Sequence, residues 1–213
     1  MANDYDVLIA GGGLAGLTAT LLLSRKGYKV ALFEKNQYPF HKVCGEYVSN
    51  ESLPFLKKLG VPLDELNVTR ITSLRLTSPN GQSFQTKLEM GAFGISHFTL
   101  EKTLSEMCRH SGTDVFENHS VQNVERVKDK FCFIVNNQQI TGRLAIGASG
   151  KHSRLHPTHP KETLKHFIGV KYYAEIPLEE DLIEMHIFFI NFFLYIINNY
   201  DVNISLKISS VII

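Results

Sequence analysis

Cysteine is scarce: Cys44, Cys108 and Cys132 are the only three in 213 residues. Three thiols cannot build a disulfide framework, and they sit at none of the paired spacings that zinc sites use. A reduced, cytoplasmic compartment is the expectation that follows. An excess of one charge is also missing, because 22 Lys and Arg stand against 21 Asp and Glu for a formal net charge of +1. That balance removes the basic footprint of nucleic-acid binders and polybasic membrane proteins. No apolar run reaches the roughly 20 residues that a bilayer span needs, so no transmembrane segment is expected, while peripheral membrane contact stays open. The start lacks the basic region of a signal peptide: Asp4 and Asp6 are acids, and the apolar stretch behind them is interrupted by glycines.

What remains is ordinary globular composition, with 44% hydrophobic residues, 20% charged residues, 15 Gly and 7 Pro. It argues against disorder, collagen and coiled coil. The length suits one large domain or one and a fraction, enough to bury a core and short for a two-domain enzyme.

Asp6 to Ala10 is a short apolar run that ends in Gly11, Gly12 and Gly13. A helix-length apolar pattern follows from Leu14 to Lys26, and a second run from Lys29 to Phe33 ends in Glu34. Strand, tight glycine turn, helix and strand make a βαβ unit with parallel strands and a right-handed crossover. Asn36 to Val48 reads as a loop and Asn50 to Leu59 as an amphipathic helix, with Leu53, Leu56 and Leu59 on one face. Ile71 to Thr77 alternates as a strand does, and after Pro79, Asn80 and Gly81 the chain can return over Ser83 to Leu88 as a hairpin. Thr99 to His110 is helical again, Ser120 to Val127 and Lys130 to Val135 form a strand pair, and Leu144 to Ala148 is a strand running into Gly150. The fold class is therefore α/β, a Rossmann-like domain with a parallel sheet and inserted hairpin strands.

Gly11, Gly13 and Gly16 fall at G-x-G-x-x-G spacing, after a strand and opening a helix. The first glycine permits the tight turn, the second lets a pyrophosphate approach the backbone, and the third lets helix and strand pack closely. The helix mouth, with Leu14 and Ala15, offers N–H groups and partial positive charge to phosphates. Glu34, followed by Lys35, stands where a carboxylate accepts hydrogen bonds from the ribose of an adenosine. NAD and FAD enzymes share this motif, so it leaves the dinucleotide open.

Two further motifs carry a family resemblance. Pro39, Lys42, Cys44 and Gly45 stand in the order P-x-x-K-x-C-G. Gly147, Ala148, Ser149 and Gly150, then Ser153, Arg154 and Leu155, are similar to G-A-D-G-x-x-S-x-[VL]-R. Together they resemble the FAD-dependent geranylgeranyl reductase family and the wider group of aromatic hydroxylases and flavin halogenases, over residues 4 to about 186. The resemblance implies an FAD-dependent oxidoreductase: NAD(P)H reduces the flavin, which then passes hydride to a substrate double bond or reacts with O2 as in a monooxygenase. The implied substrate is an apolar or aromatic small molecule. The loop from Pro39 to Glu46 would lie along the isoalloxazine, making Lys42, Cys44 and Glu46 the candidates for contact with flavin or substrate. Lys42 could stabilise the anionic reduced ring; it could equally be a solvated loop charge, and Cys44 a small buried hydrophobe. Ser149 and Gly150 would face the diphosphate and ribityl chain.

This chain departs from the group's pattern. Ser149 replaces the Asp of the second motif, exchanging a carboxylate for a weaker-binding hydroxyl. His97 stands where relatives commonly carry Arg, and Glu101 replaces an Asp. A third FAD motif, a Gly-Asp sequence closing over the flavin, would lie beyond residue 213. The expected division is an FAD-binding domain over 1–160, discontinuous in relatives, the start of a substrate-binding sheet over 161–186, and a tail over 187–213. That tail holds eight Ile, four Phe and four Asn, the mixture an AT-rich message gives when read out of frame, and a frame change near His186 is preferred over a genuine segment. Two other readings stand beside the enzyme: a non-catalytic nucleotide-binding fragment, and an NAD-dependent dehydrogenase, against which the second motif argues. His152, His156, His159 and His166 are not read as a metal site, because Pro157 and Pro160 break any helical register and no Cys or acid completes a set.

Overall fold

The computed structural model describes residues 5–150, 155, 168–169, 179–188, 192–197 and 205–210. In chain order its strands are β1 (Tyr5–Ala10), β2 (Val30–Phe33), β3 (Tyr47–Ser49), β4 (Thr69–Thr77), β5 (Ser83–Gly94), β6 (Asp114–Phe116), β7 (Val121–Val127), β8 (Lys130–Val135) and β9 (Gln138–Gly147). Four more follow, β10 (Ile168–Gly169), β11 (Leu182–Phe188), β12 (Phe192–Ile197) and β13 (Ser205–Ser210), and the helices are α1 (Leu14–Ser24), α2 (Leu53–Lys58) and α3 (His97–His110). Contacts divide the chain into two units, Met1–Phe40 with Phe98–Glu162, and His41–His97 with Thr163–Ile213. The stretch 41–97, placed inside the first domain by the sequence, thus groups with the second unit.

The first unit is built on a sheet of order β6-β2-β1-β9-β8-β7. β1 pairs in parallel with β2, Val7 opposite Val30, and with β9, Ala10 opposite Gly147. β1 and β2 are buried almost throughout, as strands covered on both faces must be. β6 joins β2 in parallel, whereas β7, β8 and β9 form an antiparallel meander. Two of these features escape a reading by pattern. β6 has three residues and is a strand only by its pairing with β2, and β9 begins at polar Gln138 because its first half is the returning arm of the hairpin with β8.

Leu8, Ala10, Ala31, Phe33, Phe133 and Val135 form one core of this unit. The Phe33 ring is stacked 5.1 Å from Phe116 and tilted 5.9 Å from Phe133. On α1, Gly16, Leu17, Thr20 and Leu21 are buried; on α3, Leu100, Leu104 and Cys108 are, at the spacing of one helical stripe. The Cys108 thiol donates to the Leu17 carbonyl at 3.4 Å, joining the two helices.

The second unit is a sheet of order β10-β13-β12-β11-β4-β5-β3. The β4–β5 hairpin is longer than its alternating core suggests, with a register shift between Ile71 and Ser73. Gly91 takes φ +64 beside that shift, and the Asn50 amide donates to the Met90 carbonyl at 2.9 Å. Ile71, Ala92 and Ile183 make its core. The helix expected from Asn50 splits into a 3-10 turn over Asn50–Ser52 and α2, at whose start Pro54 lacks an N–H. β11 runs parallel to β4, and the Ile-rich tail continues the sheet through β12 and β13. No helix among the described residues is long and apolar enough to cross a membrane.

Burial pushes the Cys108 thiol from 9.0 up to about 12, against the opposing pull of Arg109 and Arg25. The unfolded chain ionises this group first, so the stability that the neutral thiol contributes is complete below pH 9.0 and is lost as pH rises through about 12. Thermal melts by circular dichroism should therefore show Tm falling above pH 9.0 in the wild type and falling less in Cys108→Ala. Equal slopes in the two proteins would place the alkaline loss elsewhere.

Candidate functional site

The turn between β1 and α1 is assembled from backbone packed on backbone. Gly11 lies at φ +106, where a side chain is strained, and a Cβ there would collide with the Ala148 carbonyl and come 2.7 Å from the Ser149 Cα. A Cβ at Gly16 would collide with the Gly11 carbonyl. The Ala148 N–H donates to the Ala10 carbonyl at 2.8 Å, and the Gly11 N–H to the Phe33 carbonyl at 2.8 Å. The glycine spacing thus brings the end of β9 against the mouth of α1. Gly13 is the N-cap of α1, with no side-chain cap and no acid in the first turn. Half-buried Gly13 and Leu14 and exposed Ala15 line this mouth, where the first N–H groups have no acceptor within the helix and the dipole is positive.

Glu34, only 6% exposed, turns its carboxylate into this corner. One oxygen accepts the Gly12 N–H at 2.8 Å; the other accepts the Asn36 main-chain N–H at 2.9 Å and its side-chain amide at 3.0 Å. A carboxylate has about four acceptor positions, so one remains on the oxygen facing Gly12. Gly12 is itself part of the device, and the motif spacing passes over it. A Cβ there would collide with the Tyr38 hydroxyl and come 2.8 Å from the Glu34 Cβ. The Tyr38 hydroxyl donates to the Gly12 carbonyl. Burial, then the charges of Glu34, Glu101 and Glu117, hold that hydroxyl above its ordinary range, so it stays a donor. Lys35 is exposed.

Ser149 and Gly150 follow β9. The Ser149 hydroxyl oxygen is buried and has no hydrogen-bond partner among the described residues, a state that costs about 1–3 kcal/mol unless something supplies one. Gly150 takes φ +78. Leu155 packs on the core of the first unit, while Ser153, Arg154 and the four histidines from His152 to His166 lie outside the described residues. No group of residues able to hold a metal ion occurs among the described residues.

The remaining sequence candidates fall in the second unit. Lys42 and Cys44 are half-buried, and His97 is half-buried at the first position of α3. Glu46 is 2% exposed and lies at φ +56, a left-handed conformation rare for a residue with a side chain. Its N–H donates to the Cys44 sulfur at 3.4 Å, and its carbonyl accepts the Ile95 N–H at 3.0 Å.

The profile of a family described as FAD binding domain matches residues 4–191. Over 133 residues the chain is 31% identical to conditioned medium factor receptor 1 of Dictyostelium discoideum, covering 56% of this chain and 26% of that one. Over 159 residues it is 30% identical to geranylgeranyl diphosphate reductase of Rhodobacter capsulatus, covering 71% of this chain and 39% of the relative. A solved geranylgeranyl bacteriochlorophyll reductase-like protein from Thermoplasma acidophilum superposes with a TM-score of 0.77 at 20% identity, over 97% of this chain and 57% of its own. That superposition shows the fold. The chain spans less than two thirds of the length of each of these three proteins.

Because a Cβ on Gly16 has no room, Gly16→Ala should cost about 1–3 kcal/mol by overpacking. Gly147→Ala, whose Cβ would meet nothing within 4 Å among the described residues, should stay within about 0.5 kcal/mol of wild type. Urea denaturation of both variants checks the contrast.

Proposed function

The chain belongs to the FAD binding domain family, and from that premise we propose that the glycine corner holds the ADP half of FAD in the N-terminal part of an FAD-dependent oxidoreductase. The observation that carries the reading is the uncapped N-terminus of α1 with the Glu34 carboxylate turned into the same corner. An anion beside free N–H groups at a helix start is stabilised by hydrogen bonds and dipole together. The residues present fit such a group: the backbone cradle admits no Cβ, and the buried Ser149 hydroxyl has an unspent hydrogen bond among the described residues.

The N–H groups of Gly13, Leu14, Ala15 and Gly16 would bind the diphosphate, with Gly11 shaping the turn beneath it. The remaining acceptor position of Glu34 would take one ribose hydroxyl, and its charge would repel a 2′-phosphate. Ser149 and Gly150 would serve the diphosphate and ribityl chain, the Ser149 hydroxyl donating where relatives of this pattern place a carboxylate. In the second unit, Lys42, Cys44, Glu46 and His97 are assigned to the flavin or substrate end, where Lys42 supplies positive charge and Glu46 a buried carboxylate. When bound, FAD supplies two-electron chemistry between NAD(P)H and a substrate. The substrate assigned here is an apolar or aromatic small molecule, by analogy with the prenyl-type substrate in the Rhodobacter relative's name. The assigned location is cytoplasmic, with reduced thiols.

Purified protein should carry an absorbance band at about 450 nm, and apo-protein should bind FAD at least about 100-fold more tightly than FMN, which lacks the adenosine half. Fluorescence titration with FAD, FMN and NAD checks this. A colourless protein that takes up no FAD would support the non-catalytic fragment instead, and NAD affinity without FAD affinity would support a dehydrogenase.

A further inference from the structure

Resting on the FAD reading, we propose that Tyr38 is a positioning residue for the diphosphate: its hydroxyl locks the Gly12–Gly13 peptide so that the Gly13 N–H faces the mouth of α1. None of the three motifs points to position 38. Three facts about Gly12 and the two side chains that hold it carry the assignment, Tyr38 acting on the Gly12–Gly13 peptide and Glu34 on the Gly11–Gly12 peptide before it. The Tyr38 hydroxyl donates to the Gly12 carbonyl, the Glu34 carboxylate accepts the Gly12 N–H at 2.8 Å, and both side chains are buried, Tyr38 at 9% and Glu34 at 6% exposure. In a planar trans peptide the carbonyl of one residue and the N–H of the next point in opposite directions. With its carbonyl end held by Tyr38, the peptide must direct the Gly13 N–H away from the tyrosine, and Gly13 is the residue that caps α1.

A clamp is needed because the sequence here is Gly11, Gly12, Gly13. Consecutive glycines lack the Cβ atoms that would restrict rotation, so a peptide between them flips at little cost. The flipped form would present the Gly12 carbonyl, a partial negative charge, to a diphosphate. Apparent affinity falls in proportion to the fraction of molecules in the competent orientation. Tyr38 keeps that fraction near one, and its raised ionisation range leaves it protonated and donating across the physiological range. The same contact explains why position 12 has no room for a side chain: a Cβ would occupy the place of the tyrosine oxygen.

Tyr38→Phe removes one oxygen and keeps the buried ring. Calorimetric titration of wild type and variant with FAD, ADP and adenosine separates phosphate positioning from general packing. Loss of one neutral hydrogen bond should weaken FAD and ADP by about 3- to 10-fold, with adenosine unchanged within about twofold and the melting temperature little altered. Unchanged FAD and ADP affinities in the variant, with FAD bound by wild type, overturn the role of Tyr38 and leave the FAD reading intact; so does an equal loss for adenosine. Wild type that binds no FAD overturns the FAD reading, and the role of Tyr38 with it. A second readout needs no variant: 15N relaxation of Gly12 and Gly13 in the wild type should report a rigid peptide, and exchange broadening at these amides overturns the clamp.

Discussion

The close approach of the Gly16 backbone to the Gly11 carbonyl sets everything around it. Only without a Cβ at position 16 can α1 start so near the end of β1, and only with that start do the amides of Gly13, Leu14 and Ala15 gather at one point. The same absence of side chains lets Ala148 and Ser149 reach Gly11 from β9. Two ends of parallel strands and one helix mouth therefore converge on a patch made almost wholly of main chain. A patch of this kind has fixed polarity, because peptide dipoles cannot ionise and are held by the elements they belong to.

Carboxylates and hydroxyls tune the patch from its edges. Glu34 has two duties that its position as a motif residue does not distinguish. It fixes Gly12 and Asn36 within the fold, and it retains a single acceptor position for an outside donor. Removing its carboxylate would therefore disturb the corner as well as any ligand, whereas the Tyr38 hydroxyl can be deleted with the ring in place. Ser149 is the reverse case, a polar group with nothing to do within the described fold. Orphaned polar groups persist where function offsets their cost.

The sequence was most legible where a rule is local. G-x-G-x-x-G between two apolar runs implied the β1–α1–β2 unit and the place of Glu34, because tight turns and helix starts are decided by a few neighbouring residues. The family followed from two further motifs in order, Pro39 to Gly45 and Gly147 to Leu155, and the match over residues 4–191 agrees with it. Legibility failed where a residue's role depends on distant partners. Tyr38 meets Gly12 across 26 positions, and no spacing rule links an aromatic residue in a loop to the unassigned glycine of a motif. β6 exists because β2 has an open edge, and the stretch 41–97 packs with strands that come much later in the chain. Lys42, Cys44, Glu46 and His97 were readable as motif positions only; what the fold adds is the buried, left-handed Glu46 beside the Cys44 sulfur.

The central claim is that main-chain N–H groups at the start of α1 are the diphosphate site. A crystal structure of the chain grown with FAD tests it most directly. Diphosphate oxygens should lie at about 2.7–3.2 Å from the nitrogens of residues in the Gly13 to Gly16 turn, with a ribose hydroxyl on Glu34. FAD bound with its diphosphate away from that turn, the corner unchanged and empty, would contradict it.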